Sequence, residues 1–214
     1  TGLYPHQNGQ IGLATWKFRM YRENTPNMVT SLKRAGYRTG IIGKLHVNPA
    51  SAFPFGFKAI PESNFSRKKL SRYTEEAGRF FKAGKEPFFL SINYPDAHRP
   101  FIKSKANLPA KPLTADQVKT LAYIGLESEG LRQQVADYYN CMARLDALVG
   151  DLLAKLKASG KYDDTLIVYL GDHGADLIRG KRTCYEGGVR VPLIIRLPKG
   201  KAGQERRELV STLD

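Results

Sequence analysis

The chain has 214 residues, 42% hydrophobic and 25% charged, which is ordinary for a globular protein and long enough for a sizeable core. Lysine and arginine total 34 against 20 acidic residues; the net charge of +14 points either to a polyanionic partner or to a solvated basic surface, and no nucleic-acid-binding motif accompanies it, so nucleic acid is not the expected partner. The longest apolar runs are of strand length, so no membrane span is expected, and Cys141 and Cys184 show neither a disulfide framework nor a metal-ligand spacing.

In chain order, Thr25-Pro26 reads as an N-cap and first helical position, with Met28, Leu32 and Ala35 at helical spacing and Gly36 as the stop. Tyr37–Ile42 reads as a strand running into Gly43-Lys44-Leu45-His46, and a loop rich in proline, glycine and phenylalanine covers 48–61. A helix is predicted over 66–83, with Leu70, Tyr73, Ala77 and Phe80 on one face. Pro87–Tyr94 is an apolar strand leading into Pro95-Asp96-Ala97-His98-Arg99-Pro100; a loop and a short helix, Ala115–Tyr123, follow. The clearest helix spans Leu131–Ala158, where Leu131, Val135, Tyr138, Met142, Leu145, Val149, Leu152 and Leu156 alternate three and four apart and predict one long core-facing stripe. Cys141 falls within this helix and reads as a small core residue. Leu166–Leu170 is a strand that stops at Gly171-Asp172-His173-Gly174, and a Gly-Gly turn leads to a last strand, Val191–Leu197. Helices alternating with apolar strands predict an α/β fold around a largely parallel central sheet.

Three of those strands end on chemically capable residues. The first delivers Lys44 and His46, the second His98, and the third Asp172 and His173; three of the chain's four histidines sit at such ends. Strand ends on one edge of a parallel sheet converge, and ligands bind there. Asp172 and His173 pair a hard oxygen donor with an imidazole, which suits Ca²⁺, Mg²⁺ or Mn²⁺ and also admits Zn²⁺ or Fe²⁺; the alternative is that Asp172 caps a turn and His173 packs. Lys44 and Lys181 can stabilise charge on a transferring sulfuryl or phosphoryl group, and His46 and His98 can serve as general acid or base or as anion donors.

Together these residues resemble the sulfatase family of the alkaline phosphatase superfamily. Four segments carry the resemblance: Thr1-Gly2-Leu3-Tyr4-Pro5-His6-Gln7-Asn8-Gly9; Ala35 through His46 with its Gly43-Lys44-Leu45-His46 ending; Pro87–Pro100 with His98; and Thr165–Pro192 with Asp172, His173 and Lys181. The stretch Gly40-Ile41-Ile42-Gly43-Lys44-Leu45-His46-Val47-Asn48-Pro49, followed by Phe53-Pro54-Phe55-Gly56-Phe57, is similar to the heparan N-sulfatase (sulfamidase) branch. The resemblance implies an alkaline phosphatase-like fold, here incomplete, with a largely parallel central sheet flanked by helices on both faces. It implies Ca²⁺, or another divalent metal, at Asp172 and His173. The commoner family pair is Asp-Asn, so the histidine leaves the metal open. Lys44 and His46 would hold and assist the nucleophile, Lys44 also lying near the sulfate. His98 and Lys181 would bind sulfate oxygens, Lys181 also in a catalytic role, and Arg99 would face a substrate acid group.

Family members also carry a Cys/Ser-x-Pro-x-Arg motif that matures to formylglycine, and an Asp-Asp metal pair nearer the N-terminus. Neither is found in residues 1–214, and neither Cys141 nor Cys184 has the flanking motif. The expectation is therefore a partial sulfatase catalytic domain over 1–214, lacking the N-terminal metal-ligand strand, the nucleophile motif and the C-terminal part, and inactive by itself. The parent protein is expected to hydrolyse sulfate esters or N-sulfates of a small molecule or glycan. The alternatives are a phosphoesterase or phosphonate monoester hydrolase of the same superfamily, and a non-catalytic remnant that binds anionic glycans. The family is generally periplasmic, secreted or lysosomal.

Overall fold

In the computed structural model, which describes residues 1–200 and 203–213, the backbone divides into two units. Thr1–Ser63, Lys82–Asn93 and Gly203–Asp214 form the first, and Asn64–Phe81 with Tyr94–Ala202 the second. The architecture is α/β, with a parallel sheet and helices. Among the described residues no helix is long and apolar enough to cross a membrane.

The first unit begins with a single helical turn, α1 (Pro5–Asn8), which has proline at its first position and Gly9 in the left-handed region at its end. The helix α2 (Met28–Arg34) starts two residues later than Thr25-Pro26 predicts. Asn27 is the cap: its side chain accepts from Thr30 N–H at 3.1 Å, while Thr30 Oγ1 accepts from Asn27 N–H at 3.2 Å. Strand β1 (Arg38–Gly43) follows, then β2 (Phe57–Ala59), a short strand inside the segment expected to be loop. β1 is the central strand of a parallel sheet ordered β2-β1-β3, the third strand being β3 (Phe88–Asn93). Its central position explains its unbroken burial from Thr39 to Gly43, where a half-exposed strand would alternate. Val29, Ile41 and Phe55 form a core cluster in this unit, with Leu45, Phe53 and Phe89 packed against them.

The second unit is built on two helices. α3 (Leu70–Lys82) buries Leu70, Tyr73, Ala77 and Phe80, the face its spacing predicts, together with Glu76 and Phe81. It starts four residues later than expected, because the preceding segment holds Asn64 and Arg67 in left-handed backbone conformations that no helix tolerates. The predicted short helix at 115–123 is instead two separate 3₁₀ turns, Ala115–Gln117 and Ala122–Ile124. α4 (Glu129–Ala158) is capped by the Ser128 hydroxyl, which accepts from Leu131 N–H. Its buried face takes in the predicted stripe, none of whose residues is exposed, and extends beyond it. Val135, Leu145 and Leu156 are buried, as is Cys141, the expected small core residue; so are the polar Asn140 and Arg144, while Met142, Val149 and Leu152 are half-buried.

Strand β4 (Ile167–Leu170) does not join the parallel sheet. It pairs antiparallel with β5 (Leu193–Arg196), Leu170 opposite Leu193 and Ile167 opposite Arg196, and forms a separate two-stranded sheet. The expectation that all three site-bearing strand ends lie on one sheet edge is therefore corrected. The connection between β4 and β5 folds back on itself through Gly174 N–H to Gly188 O at 2.9 Å and Gly171 N–H to Pro192 O at 3.3 Å, so β5 returns beside β4 rather than crossing over. A one-turn helix, α5 (Glu186–Val189), lies within this connection.

Candidate active site

In the first unit the end of β1 carries Lys44 and His46, both half-buried. Gly43 shapes this end. Its φ is +98°, and a Cβ there would stand 2.2 Å from Asn93 O across the β1–β3 pair, so only glycine fits. Asn93 in turn donates from Nδ2 to Lys44 O at 2.9 Å, which pins the backbone that presents Lys44.

The remaining predicted residues lie in the second unit. His98 sits just past Tyr94, in a loop secured by a buried charge cluster. Asp96 takes Arg144 Nε on Oδ2 and Arg144 Nη2 on Oδ1, both at 2.8 Å, and Arg67 Nε on Oδ1 at 3.0 Å. All three side chains are fully buried. The cluster also satisfies backbone carbonyls: Arg144 donates to Ile102 O and Leu108 O, and Arg67 to Pro95 O, Phe65 O and His98 O. Burial pulls the Arg144 pKa down, and the hydrogen bonds and charge of Asp96 more than offset it, leaving it raised. Burial likewise pushes the Cys141 thiol up, with the Asp96 charge adding to it; its Sγ lies 3.2 Å from Arg144 Nη2.

The connection after β4 carries the rest. Asp172 and His173 are exposed, and Lys181 is half-buried in a loop closed by its own N–H on Ala175 O at 2.7 Å. The side chain of Asp176 joins this loop to that of His98. It pairs with Arg182 at 3.0 Å and with Arg99 at 3.8 Å, and Arg99 Nε also donates to Asp176 O at 2.9 Å. Arg99 Nη2 donates to Gln134 Oε1 at 2.8 Å. Arg99, expected to face a substrate acid group, is thus engaged within the protein, and its guanidinium links the two loops that bear His98 and Lys181.

Asp172 and His173, the expected metal ligands, stand side by side at the end of β4. His173 Nδ1 lies 2.9 Å from Gly174 O, an acceptor only, so Nδ1 donates there and Nε2 is the nitrogen left to face a metal. That Nε2 lies 3.4 Å from Asp172 Oδ2. Two ligands at about 2.4 Å from one ion and at right angles stand about 3.4 Å apart. The pair therefore fits one edge of a coordination shell. Among the described residues, no group of three or more His, Cys, Asp or Glu side chains is gathered to hold a metal ion.

Sequence reasoning missed Phe65, Arg67, Asp96, Asn140, Arg144 and Asp176. Asp96 stood inside a quoted motif, but its partners lie 29 and 48 residues away, and nothing local marks them. One available signal was the placement of Asn140 and Arg144 near Cys141 within a helix read for its apolar residues, and another the basic run Arg67-Lys68-Lys69 before α3.

The Sulfatase family model matches residues 1–214. Human N-sulphoglucosamine sulphohydrolase is 31% identical over 243 residues, covering 100% of this chain and 48% of the human protein. The chain spans about half the length of the curated relatives it matches over its whole length. Among solved structures, a 2-O GAG sulfatase superposes with a TM-score of 0.67 at 17% identity, over 92% of this chain and 52% of that one. The phosphonate monoester hydrolase of Agrobacterium radiobacter superposes with a TM-score of 0.60 at 19% identity, over 92% and 57%.

Proposed function

This chain belongs to the sulfatase family, and on that premise we propose that the protein containing it hydrolyses sulfate esters or N-sulfates, with a sulfated glycan as the substrate class. Balanced, the reaction breaks an S–O or S–N bond, adds water, and yields sulfate and a free hydroxyl or amine. His98 and Lys181 donate to the sulfate oxygens and offset the charge that builds on them as the bond breaks. Lys44 and His46 hold the nucleophile and assist its proton transfers. Asp172 and His173 supply one edge of a divalent-metal site, Ca²⁺ being the expected ion. The metal, when bound, supplies Lewis-acid polarisation of the sulfate, and a formylglycine from outside residues 1–214 supplies the nucleophile.

The observation that supports this reading most is the bridge through Asp176, which ties the loop of His98 to the loop of Lys181 by way of Arg99 and Arg182. Two anion-binding groups far apart in sequence are thereby carried on one connected scaffold. Similarity to human N-sulphoglucosamine sulphohydrolase supports an N-sulfated sugar as the first substrate to try.

The test is turnover by the full-length protein of an N-sulfated glucosamine, an aryl sulfate, a phosphate monoester and a phosphonate monoester, side by side. Sulfate release should dominate, and His98→Ala or Lys181→Ala should each lower kcat/KM by about a hundredfold or more. Preferential turnover of the phosphonate ester would replace this reading with a phosphonate hydrolase. Metal-independent heparin binding without turnover would replace it with a glycan-binding protein.

A further inference from the structure

The segment just before α3 is bent toward the His98 loop. Asn64 and Arg67 both adopt left-handed backbone conformations, at φ 49° and 52°, although neither is glycine. Strain of that kind persists only where surrounding contacts enforce it, and it concentrates at functional sites. The contacts here are specific. Asn64 O accepts from Arg67 N–H at 2.8 Å, and Asn64 Oδ1 from Lys68 N–H at 3.1 Å, closing a tight turn. From this turn the buried Arg67 guanidinium holds the Pro95 and His98 carbonyls and the Asp96 carboxylate. From the same turn the Phe65 ring lies flat on the His98 imidazole, with centroids 4.0 Å apart and planes 10° from parallel.

Those contacts leave the imidazole little freedom. Arg67 fixes the backbone that bears it, and Phe65 fixes its plane. A third contact, His98 Nδ1 to Arg99 O at 2.7 Å, fixes its rotation within that plane. The carbonyl can only accept, so Nδ1 carries a proton, and Nε2, which must also carry one to donate, is the atom through which the ring would meet a sulfate oxygen. We propose that Phe65 and Arg67 are positioning residues for His98, with Phe65 setting the ring orientation in which Nε2 addresses the substrate. This rests on the anion-binding role given to His98 above.

The experiment is a double-mutant cycle in the full-length protein, with kcat and KM measured on the preferred sulfated substrate for wild type, Phe65→Leu, His98→Ala and the double variant. Phe65→Leu should lower kcat/KM about fivefold in the wild-type background and leave it within about twofold in the His98→Ala background, while Phe65→Tyr, which keeps the stacked ring, restores the wild-type value. Equal losses in the two backgrounds, or none in either, would overturn the proposal. Imidazole resonances from ¹⁵N,¹³C-histidine labelling read the position without reference to activity. His98 ring protons should be shifted upfield by Phe65 and move downfield in Phe65→Leu, with a proton carried on Nδ1. Unchanged shifts would also overturn it. If His98→Ala alone leaves kcat/KM intact while the shifts behave as stated, the anion-binding role of His98 fails and its positioning by Phe65 stands.

Discussion

Arg144 grips Asp96 with both prongs of its guanidinium, Nε to Oδ2 and Nη2 to Oδ1, each at 2.8 Å, with both side chains fully buried. Arg67 completes the cluster from the opposite direction in sequence. Two cations and one anion are therefore withdrawn from water, and the carbonyls around them take up the remaining donors. Removing one partner of such a pair costs far more than the pair contributes in net, because the other charge stays buried and uncompensated. Asp96→Asn should lower unfolding stability by about 3–5 kcal/mol, and Arg144→Lys, which keeps the charge but loses the fork, by less. Urea unfolding midpoints measure both. A loss under about 1 kcal/mol for Asp96→Asn would mean the cluster is not what secures the His98 loop.

Gly43 should be irreplaceable. Alanine there would bring a Cβ to 2.2 Å from Asn93 O in a backbone conformation at φ +98°. The obstacle is backbone in a paired strand, so the strands must part. Gly43→Ala should cost about 1–3 kcal/mol and disturb Lys44, whose carbonyl is held by Asn93. Thermal unfolding gives the first quantity and amide chemical shifts at residues 43–46 the second. Wild-type stability in this variant would show that the approach can relax.

The two cysteines should behave oppositely. Cys184 is exposed and should react at once with a thiol reagent, whereas Cys141 is buried and should react only on unfolding. Burial raises the Cys141 pKa in the folded state, so the folded chain holds a proton the unfolded chain releases. The contribution of Cys141 to stability is therefore fully present below the unfolded thiol pKa of about 8.5 and falls as pH rises above it. Cys141→Ala should flatten that part of the alkaline stability profile. An unchanged slope above pH of about 8.5 would rule out this linkage.

Asp172 and His173 should share an ion. Titration of the full-length protein with Ca²⁺ and with Mn²⁺ should show affinity reduced about tenfold or more by Asp172→Ala. His173→Gln, which exchanges imidazole nitrogen for an amide oxygen, should shift preference toward Ca²⁺ over Mn²⁺. Identical isotherms for wild type and Asp172→Ala would remove the pair from the metal site.

Much of the fold was legible because its signals are local. Gly36 and Gly160 mark helix ends through the left-handed backbone that glycine favours, and the spacing of Leu70, Tyr73, Ala77 and Phe80 marks the buried face of α3. Motif residues were legible for the same reason: Gly43-Lys44-Leu45-His46 and Gly171-Asp172-His173-Gly174 each abut an apolar strand. What failed depended on partners. The cap of α2 passed to Asn27 because Thr30 completes a reciprocal pair with it. The buried face of α4 is wider than its apolar stripe because Arg144 and Asn140 find buried partners at Asp96 and Leu113, which allows polar side chains inside beside the apolar ones.

The sequence by itself determined the α/β class, the family resemblance and the identities of the candidate site residues, since periodicity, capping and short motifs are written within a few residues of chain. Only the tertiary structure decided which strand β4 pairs with, which charges are buried together, and that Phe65 lies on His98. The physical reason is distance along the chain. A buried charge or a stacked ring is stable only against a partner of matching geometry, and here those partners stand 29 to 48 residues away, beyond the reach of any local pattern.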